Sequence, residues 1–327
     1  MYNHRMRRAL FLYNPTAGRF PVRPFIGQIT RALARSDWHT DVLATTSGAH
    51  VTESARRAAE EGYDAVFASG GDGTVGLAVS GLLGTDTALG VLPSGTANVL
   101  ALELGLRLFT WTRPRAHLHN ARALADAPAC AVDVGICNGQ PFLLWAGMGL
   151  DALTVHTTEP RLRIDKFFAF PEYFANTIWN ASQWSGVTLK LWADEHEVEG
   201  HYMIAVANNI RRYMGGLAVL STDAHMDDGQ FDIWLFSGKT LSDALRHAYD
   251  LWRGKHLNSE NVRRISFRTL RVEAATPFLV QTDGEPRPAT QRVEISIQPR
   301  ALKLLVPAPA LHLLAHPPGP SGYNPPT

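Results

Sequence analysis

The sequence predicts two domains of different class: a doubly wound α/β domain over residues 1–128 and a strand-rich antiparallel β-sandwich over residues 129–312, followed by a flexible proline-rich tail at 313–327. Three observations predict this. Short apolar runs alternate with helix-patterned segments up to about residue 105, which forces parallel pairing with right-handed crossovers. Beyond residue 128 that alternation stops and period-two runs take over. The chain has 327 residues, 45% of them hydrophobic and 19% charged, enough for two ordinary cores.

In order along the chain, "RALFLY" (8–13) reads as a strand that ends at Asn14-Pro15, and Phe25, Ile29 and Leu33, four apart, mark a helix. "HTDVLATT" (39–46) is a second strand and "HVTESARRAAEEG" (50–62) a helix that stops on its glycine. "DAVFAS" (64–69) is the third strand, with a helix from about Thr74 to Leu83; "ALGVL" (88–92) is the fourth, and "PSGTAN" then "VLALELGL" follow it. In the second half, "CAVDVGICN" and "QPFLLWAGMGLDA" read as strands paired around Asn138-Gly139. "YMIAVANN", "FDIWLF", "RISFRTLRVEA", "RVEISIQ" and "LKLLV" continue the strands, with Val293, Ile295 and Ile297 in strict alternation. Helices are expected near 165–183 and 240–254, the domain boundary at 125–130, and a cleft between the domains.

A formal net charge of +1 gives no electrostatic case for nucleic acid. Two cysteines, Cys130 and Cys137, without a secretory apolar segment, suit reduced thiols in a cytoplasmic protein. No apolar run reaches the ~20 residues of a membrane span, so contact with lipid is expected from the surface, as peripheral association. The histidines show no metal spacing.

Ligands of doubly wound sheets collect at the carboxyl ends of the strands. Those ends carry "NPTAG", "TTSG", "SGGDGT" and "PSGTAN". The third spells G-x-G-x-x-G from Gly71 to Gly76, yet it is no dinucleotide fingerprint. It follows the third strand and not the first, the next strand ends in Pro93-Ser94 and not in a ribose-binding acid, and Asp72 would point a negative charge at a pyrophosphate. An acid beside phosphates fits where a divalent cation lies between them or where it takes a proton from an attacking hydroxyl; both belong to phosphoryl transfer. The helix after the turn aims its positive end at the same place. The plainer alternative is that Asp72 caps that helix.

"GGDGT" (70–74), "PSGTANVLA" (93–101) and "NPTAG" (14–18) together resemble the diacylglycerol kinase catalytic family, which includes bacterial diacylglycerol kinases and sphingosine kinase. "DAHMDDGQFDIWLF" (223–236) and "TDGEP" (282–286) resemble that family's downstream elements, so the likeness spans nearly the whole chain. The first domain thus resembles the nucleotide fold shared with NAD kinases and phosphofructokinases. The resemblance implies a lipid kinase that transfers the γ-phosphate of ATP, with Mg²⁺, to a hydroxyl of a lipid such as diacylglycerol at the membrane surface, and it allows a homodimer. It implies ATP binding by Asn14, Pro15, Gly18, Thr46, Gly70, Gly71, Gly73, Thr74, Ser94, Gly95, Thr96 and Asn98. It implies catalysis by Asp72, Asp283 and Glu285, with the base among the last two, and a metal position at Asp227 and Asp228.

Val99 is a departure: many bacterial members place an acid directly after the asparagine of GTxN. It motivates a second reading, a lipid- or nucleotide-binding regulator without catalysis; a third, a soluble-substrate kinase of the NAD kinase type, arises because GGDGT alone also fits NAD kinases. Asp-Gly pairs also make ordinary hairpin turns, so "DDG" and "TDGEP" have a purely structural alternative. The aromatic and basic segment at 161–184 reads either as a helix filling the second core or as the wall of an acyl-chain pocket.

Overall fold

The computed structural model describes residues 6–15, 22–110, 112, 113, 115–158, 179 and 184–318, and it divides into two compact units. Unit 1 comprises residues up to Val132 together with those from Arg300 onward; unit 2 runs from Asp133 to Pro299.

Unit 1 is the predicted doubly wound domain. Its strands are β1 (Arg7–Tyr13), β2 (Trp38–Ala44), β3 (Ala65–Gly70) and β4 (Ala88–Pro93), and its helices are α1 (Ile26–Ala34), α2 (Gly48–Glu60), α3 (Asp72–Leu82), α4 (Val99–Glu103) and α5 (Ala116–Ala125). The strands lie in the order β4-β3-β1-β2, all parallel, with Phe11 opposite both Val42 and Phe67. Every residue of β3 and β4 is buried, as expected of central strands covered on both faces. The ring of Phe67 needs Gly90 beside it, since a Cβ there would come within 2.5 Å of the ring. Because the strands are parallel, the turns after β1, β2, β3 and β4 all emerge at one edge of the sheet.

Unit 2 is built from β5 (Ala129–Cys137), which enters it at Asp133, then β6 (Gln140–Phe142), β7 (Trp145–Gly149), α6 (Leu150–Thr158), β8 (Val187–Ala193), β9 (His196–Tyr202), β10 (Ile204–Asn208), β11 (Arg212–Tyr213), β12 (Ala218–Val219), β13 (Phe231–Phe236), α7 (Leu241–Arg253), β14 (Val262–Phe267), β15 (Thr269–Thr282) and the first part of β16 (Glu285–Leu305). β15 pairs with β8 over Leu270–Glu273 and with β7 over Val280–Thr282. Register irregularities between Glu273 and Val280 let one strand serve both partners. One apolar cluster, including Phe142, Met148, Leu191, Phe231, Phe267, Val280, Val293 and Ile295, fills the space between these pairings. Helix α7 begins on a capping box, Thr240 with Asp243, and ends on Gly254 at φ 68°.

The structure corrects several expectations. The second domain does not run to residue 312. Leu304 pairs in parallel with Leu89 of β4, and Leu302, Leu304, Leu305 and Val306 are buried, so the chain returns to complete unit 1. The tail does not begin at 313, because Leu313 and Leu314 are buried and a 3-10 helix spans Ala308–Leu313. "GMGLDA" is not strand throughout. Gly149, at φ 79° and too close to the Met203 carbonyl for any side chain, ends β7, and α6 starts at once. "RISFRTLRVEA" is two strands separated at Arg268. The expected helix near 165–183 and most of the aromatic segment lie outside the described residues. Cys130 and Cys137 are buried thiols not joined in a disulfide; burial pushes the Cys137 thiol up to about 11.

Candidate active site

The loop edge of unit 1 is assembled mainly from backbone. Gly70 ends β3, Gly71 is the N-cap of α3, and Asp72 is its first residue, two positions earlier than the sequence suggests. No side chain caps α3, so its first amides and its positive end face the turn. The loop after β4 is hung on the same glycines: the amides of Ser94 and Gly95 both donate to the Gly70 carbonyl at 3.0 Å. Gly95 and Gly71 touch backbone to backbone, and a Cβ on Gly95 would lie 2.2 Å from the Gly71 Cα. A Cβ on Gly70 would collide with Thr74, whose side chain is buried. Asn98, left-handed at φ 53°, closes this loop by accepting from the Gly95 amide and donating to its carbonyl, both at 2.8 Å. Gly76, last of the spelled G-x-G-x-x-G, has no atom within 4 Å of a would-be Cβ. The close packing that a dinucleotide-binding helix asks of that glycine is absent.

Asp72 is tied to this second loop. Its Oδ1 accepts from the Leu100 amide at 3.4 Å, at the start of α4. Burial pushes its carboxyl above the usual value, and the amides of Val99, Leu100 and Asn98 pull in the other direction. Asp72 is thus the first residue of α3 and at the same time meets amides at the start of α4. Val99, at the position of the departure, has its side chain buried. Of the other predicted nucleotide contacts, Asn14 donates its amide to Ser69, Pro15 and Thr96 are exposed on this edge, and the Thr46 hydroxyl lies 2.9 Å from Nδ1 of His50. Ser94 is within 3.3 Å of the Ser69 hydroxyl. Gly18 lies outside the described residues.

In unit 2 the "TDGEP" element is the tight turn joining β15 to β16, with Asp283 at φ 51° and Gly284 at φ 82°. Asp283 Oδ1 accepts from the amides of Leu144 and Trp145 at 2.8 and 3.1 Å, and Oδ2 from that of Leu143 at 2.8 Å. Its carboxylate therefore anchors residues 143–145. Glu285 is exposed at the end of the same turn. The turn itself is held from below. The Gly284 amide donates to Gln281 Oε1 at 2.8 Å, Gln281 Nε2 to Asp151 Oδ2 at 2.5 Å, and the Tyr213 hydroxyl to Asp151 Oδ1 at 2.5 Å. Gly147 leaves the room that Asp151 occupies. Burial pushes the Asp151 carboxyl up, opposed by the hydrogen bonds from Tyr213 and Gln281.

The "DDG" element is a second anchored turn. Asp133, fully buried, accepts the Gly229 amide at 2.6 Å, and its own amide donates to the Met226 carbonyl. Asn209 joins the two turns, for its Nδ2 donates to the carbonyls of both Asp133 and Leu143. Asp227 is buried, whereas Asp228 lines a polar cavity of about 200 Å³ with Asn208, Asn209, Asp223, Asp232 and Arg264. Partial desolvation pushes the Asp228 carboxyl up. Among the described residues no group of three or more His, Cys, Asp or Glu is arranged to hold a metal. The donors that do suit a hard cation are oxygens: Asp228 and the buried Oδ1 atoms of Asn208 and Asn209, which have no hydrogen-bond partner. Asp133, Asp151, Asn209, Tyr213 and Gln281 were not singled out from the sequence. The signal available was an acid or amide isolated within an apolar run, as in "CAVDVGIC" and "FLVQTDG".

Residues 8–135 match the family model of the diacylglycerol kinase catalytic domain, and residues 146–306 that of the YegS C-terminal NAD kinase β-sandwich-like domain. A diacylglycerol kinase of Bacillus subtilis is 28% identical over 283 residues, covering 86% of this chain and 90% of that protein. One of Staphylococcus saprophyticus is 26% identical over 283 residues, covering 85% and 89%. A crystal structure of a diacylglycerol kinase from Bacillus anthracis superimposes with a TM-score of 0.70 at 22% identity, covering 94% of this chain and 99% of that one. That likeness is one of fold.

Proposed function

We propose that the chain is a kinase of the diacylglycerol kinase catalytic-domain family and transfers the γ-phosphoryl group of ATP to a hydroxyl of a lipid, diacylglycerol being the acceptor, with Mg²⁺ bound to the nucleotide. The observation that carries this reading is the turn at Gly70–Thr74. It combines a helix N-terminus with no side-chain cap, two glycines in backbone contact with the Ser94–Asn98 loop and an acid at the first helical position, a set suited to phosphate oxygens with a cation.

On this reading the N-terminus of α3 binds and orients the phosphates, and the Ser94–Asn98 loop, whose Ser94 and Gly95 amides are bound to the Gly70 carbonyl, shapes the turn around them. Asp72 would hold Mg²⁺, which would supply charge neutralisation at the phosphate oxygens. A neighbouring cation would offset the burial that raises the Asp72 carboxyl and keep it ionised. Glu285 accepts the proton of the lipid hydroxyl; Asp283, committed to three backbone amides, positions it. Val99 takes no part beyond offering its amide near Asp72. Asp228, with the Asn208 and Asn209 oxygens, would hold the structural metal, Asp227 lying outside that cavity.

The test is transfer of labelled phosphate from ATP to a total lipid extract, with Asp72→Asn as control. One labelled lipid co-migrating with phosphatidic acid, lost in the variant, is the expected result. ATP binding without transfer to any lipid would overturn it in favour of a non-catalytic regulator, and labelling of NAD would overturn it in favour of a soluble substrate.

A further inference from the structure

Helix α7 carries its apolar residues in the wrong place for a helix that only packs inward. At about 100° per residue, His247 and Leu251 fall on one side and are buried, while Leu245, Tyr249 and Trp252 fall on the opposite side. Those three are 47%, 51% and 68% exposed, and Leu257 in the following 3-10 turn is 42% exposed. A polar outer face is the rule for a helix lying on a sandwich, so this one has two apolar faces.

The exposed face has a specific chemistry. Arg246, Arg253 and Lys255 are exposed around the aromatic pair; Arg253 lies over the Trp252 ring and Lys255 over the Tyr249 ring. The helix's two acids lie aside, Asp243 being bound into the capping box with Thr240. The patch continues onto the β11–β12 hairpin, which packs beside α7 and exposes Leu217 and Val219. Aromatic rings with a polar edge, aliphatic residues between them and a cationic rim match the boundary of an anionic lipid bilayer, where rings sit at headgroup depth and Lys and Arg meet phosphate.

We propose that α7 and the β11–β12 hairpin form the surface by which unit 2 docks on an anionic membrane. The inference rests on the lipid-kinase reading in one respect, that the acceptor is held in a bilayer. It adds which surface meets that bilayer and a structural link from it to the chemistry. Tyr213, in the same hairpin that exposes Leu217 and Val219, donates to Asp151, which through Gln281 holds the turn bearing Glu285. The docking surface and the reactive turn thus share one hydrogen-bonded support.

The experiment is co-sedimentation of the full chain with vesicles of equal parts phosphatidylglycerol and phosphatidylcholine, and with phosphatidylcholine alone. It is run beside kinase assays on vesicle-borne diacylglycerol and on a short-chain diacylglycerol kept monomeric. Wild type is expected to sediment with the anionic vesicles only. Leu245→Glu with Trp252→Glu should weaken that binding at least ~10-fold, and neutralising Arg253 or Lys255 should weaken it on the order of 5-fold each. Turnover of the monomeric lipid should stay unchanged in every variant. Unchanged vesicle binding in the Leu245/Trp252 variant overturns the proposal. So does a wild-type dimer that the variant converts to monomer without loss of vesicle binding, which would assign the face to a second copy. Loss of vesicle binding alongside no transfer by wild type to either lipid would support the docking face and remove the kinase reading alone.

Discussion

At the loop edge of unit 1 the backbone makes the contacts: Gly71 meets Gly95, two amides share the Gly70 carbonyl, and α3 starts on a glycine with no side-chain cap. At the Thr282–Glu285 turn of unit 2 side chains do so, Asp283 holding three amides and Gln281, Asp151 and Tyr213 bracing the turn from behind. The difference explains why one region is read easily from sequence. Where the backbone is the instrument, the residue type is fixed by the absence of a Cβ, and glycines in series are visible. Where side chains cooperate over more than a hundred positions, each residue on its own looks ordinary. The hairpin at Asp194 makes the point within unit 2. Asp194, also in the left-handed region, accepts from the amides of Arg268 and Thr269; burial opposes its ionisation, yet those amides hold its carboxyl below the usual value. The same device thus recurs at an exposed hairpin that none of the functional motifs marks, which supports an anchoring duty for Asp283.

The comparison can be broken by kinetics first. Asp72→Ala and Glu285→Gln are each expected to lower kcat by at least ~10²-fold, as loss of a group acting on the reacting atoms should, and exposed Glu285→Gln to do so with little change in melting temperature. A normal rate in either removes that residue from the chemistry. Asp283→Ala is expected to act on stability instead, leaving three backbone amides without an acceptor at a loss of about 2–4 kcal/mol. If denaturant titration shows Asp283→Ala as stable as wild type while kcat collapses, the anchoring role is wrong and the two carboxylates share the proton.

A smaller effect follows from Asp151. Its folded-state carboxyl is raised above the usual 3.8, so the native protein binds that proton more tightly than the unfolded chain does. The associated stability is fully present below the usual value and is lost as pH rises through the raised native value. Asp151→Asn should remove this slope, so the difference in melting temperature between variant and wild type should grow in the variant's favour as pH rises through that range. A constant difference would show that Asp151 does not titrate differently on folding. Smallest of all, Gly76→Ala should be neutral or stabilise by ~0.5–1 kcal/mol without altering KM for ATP, since nothing fills the space beside it. A rise in KM would return this glycine to the phosphate loop.

Much of unit 1 was legible because β1 to β4 are apolar runs punctuated by glycine turns, and those turns land on one sheet edge by topology alone. The Asp72 carboxylate's contact with α4 was not legible, being set by how two loops meet. In unit 2 the strands were readable from alternation and from Asn138-Gly139. Their ends were not: the conversion of "GLDA" to helix at Gly149 and the break at Arg268 depend on a carbonyl and a carboxylate from distant positions. The fate of "LKLLV" was hidden for the same reason, since an apolar strand does not announce which sheet it joins.

That last strand has a consequence for how the protein is made. Unit 1 is discontinuous, and β4, buried along its whole length, receives its neighbour only when residues 300–306 have been synthesised. Throughout translation of the entire second unit, an apolar parallel strand therefore waits on the ribosome with one edge bare, the situation in which a nascent chain most needs shielding from its neighbours.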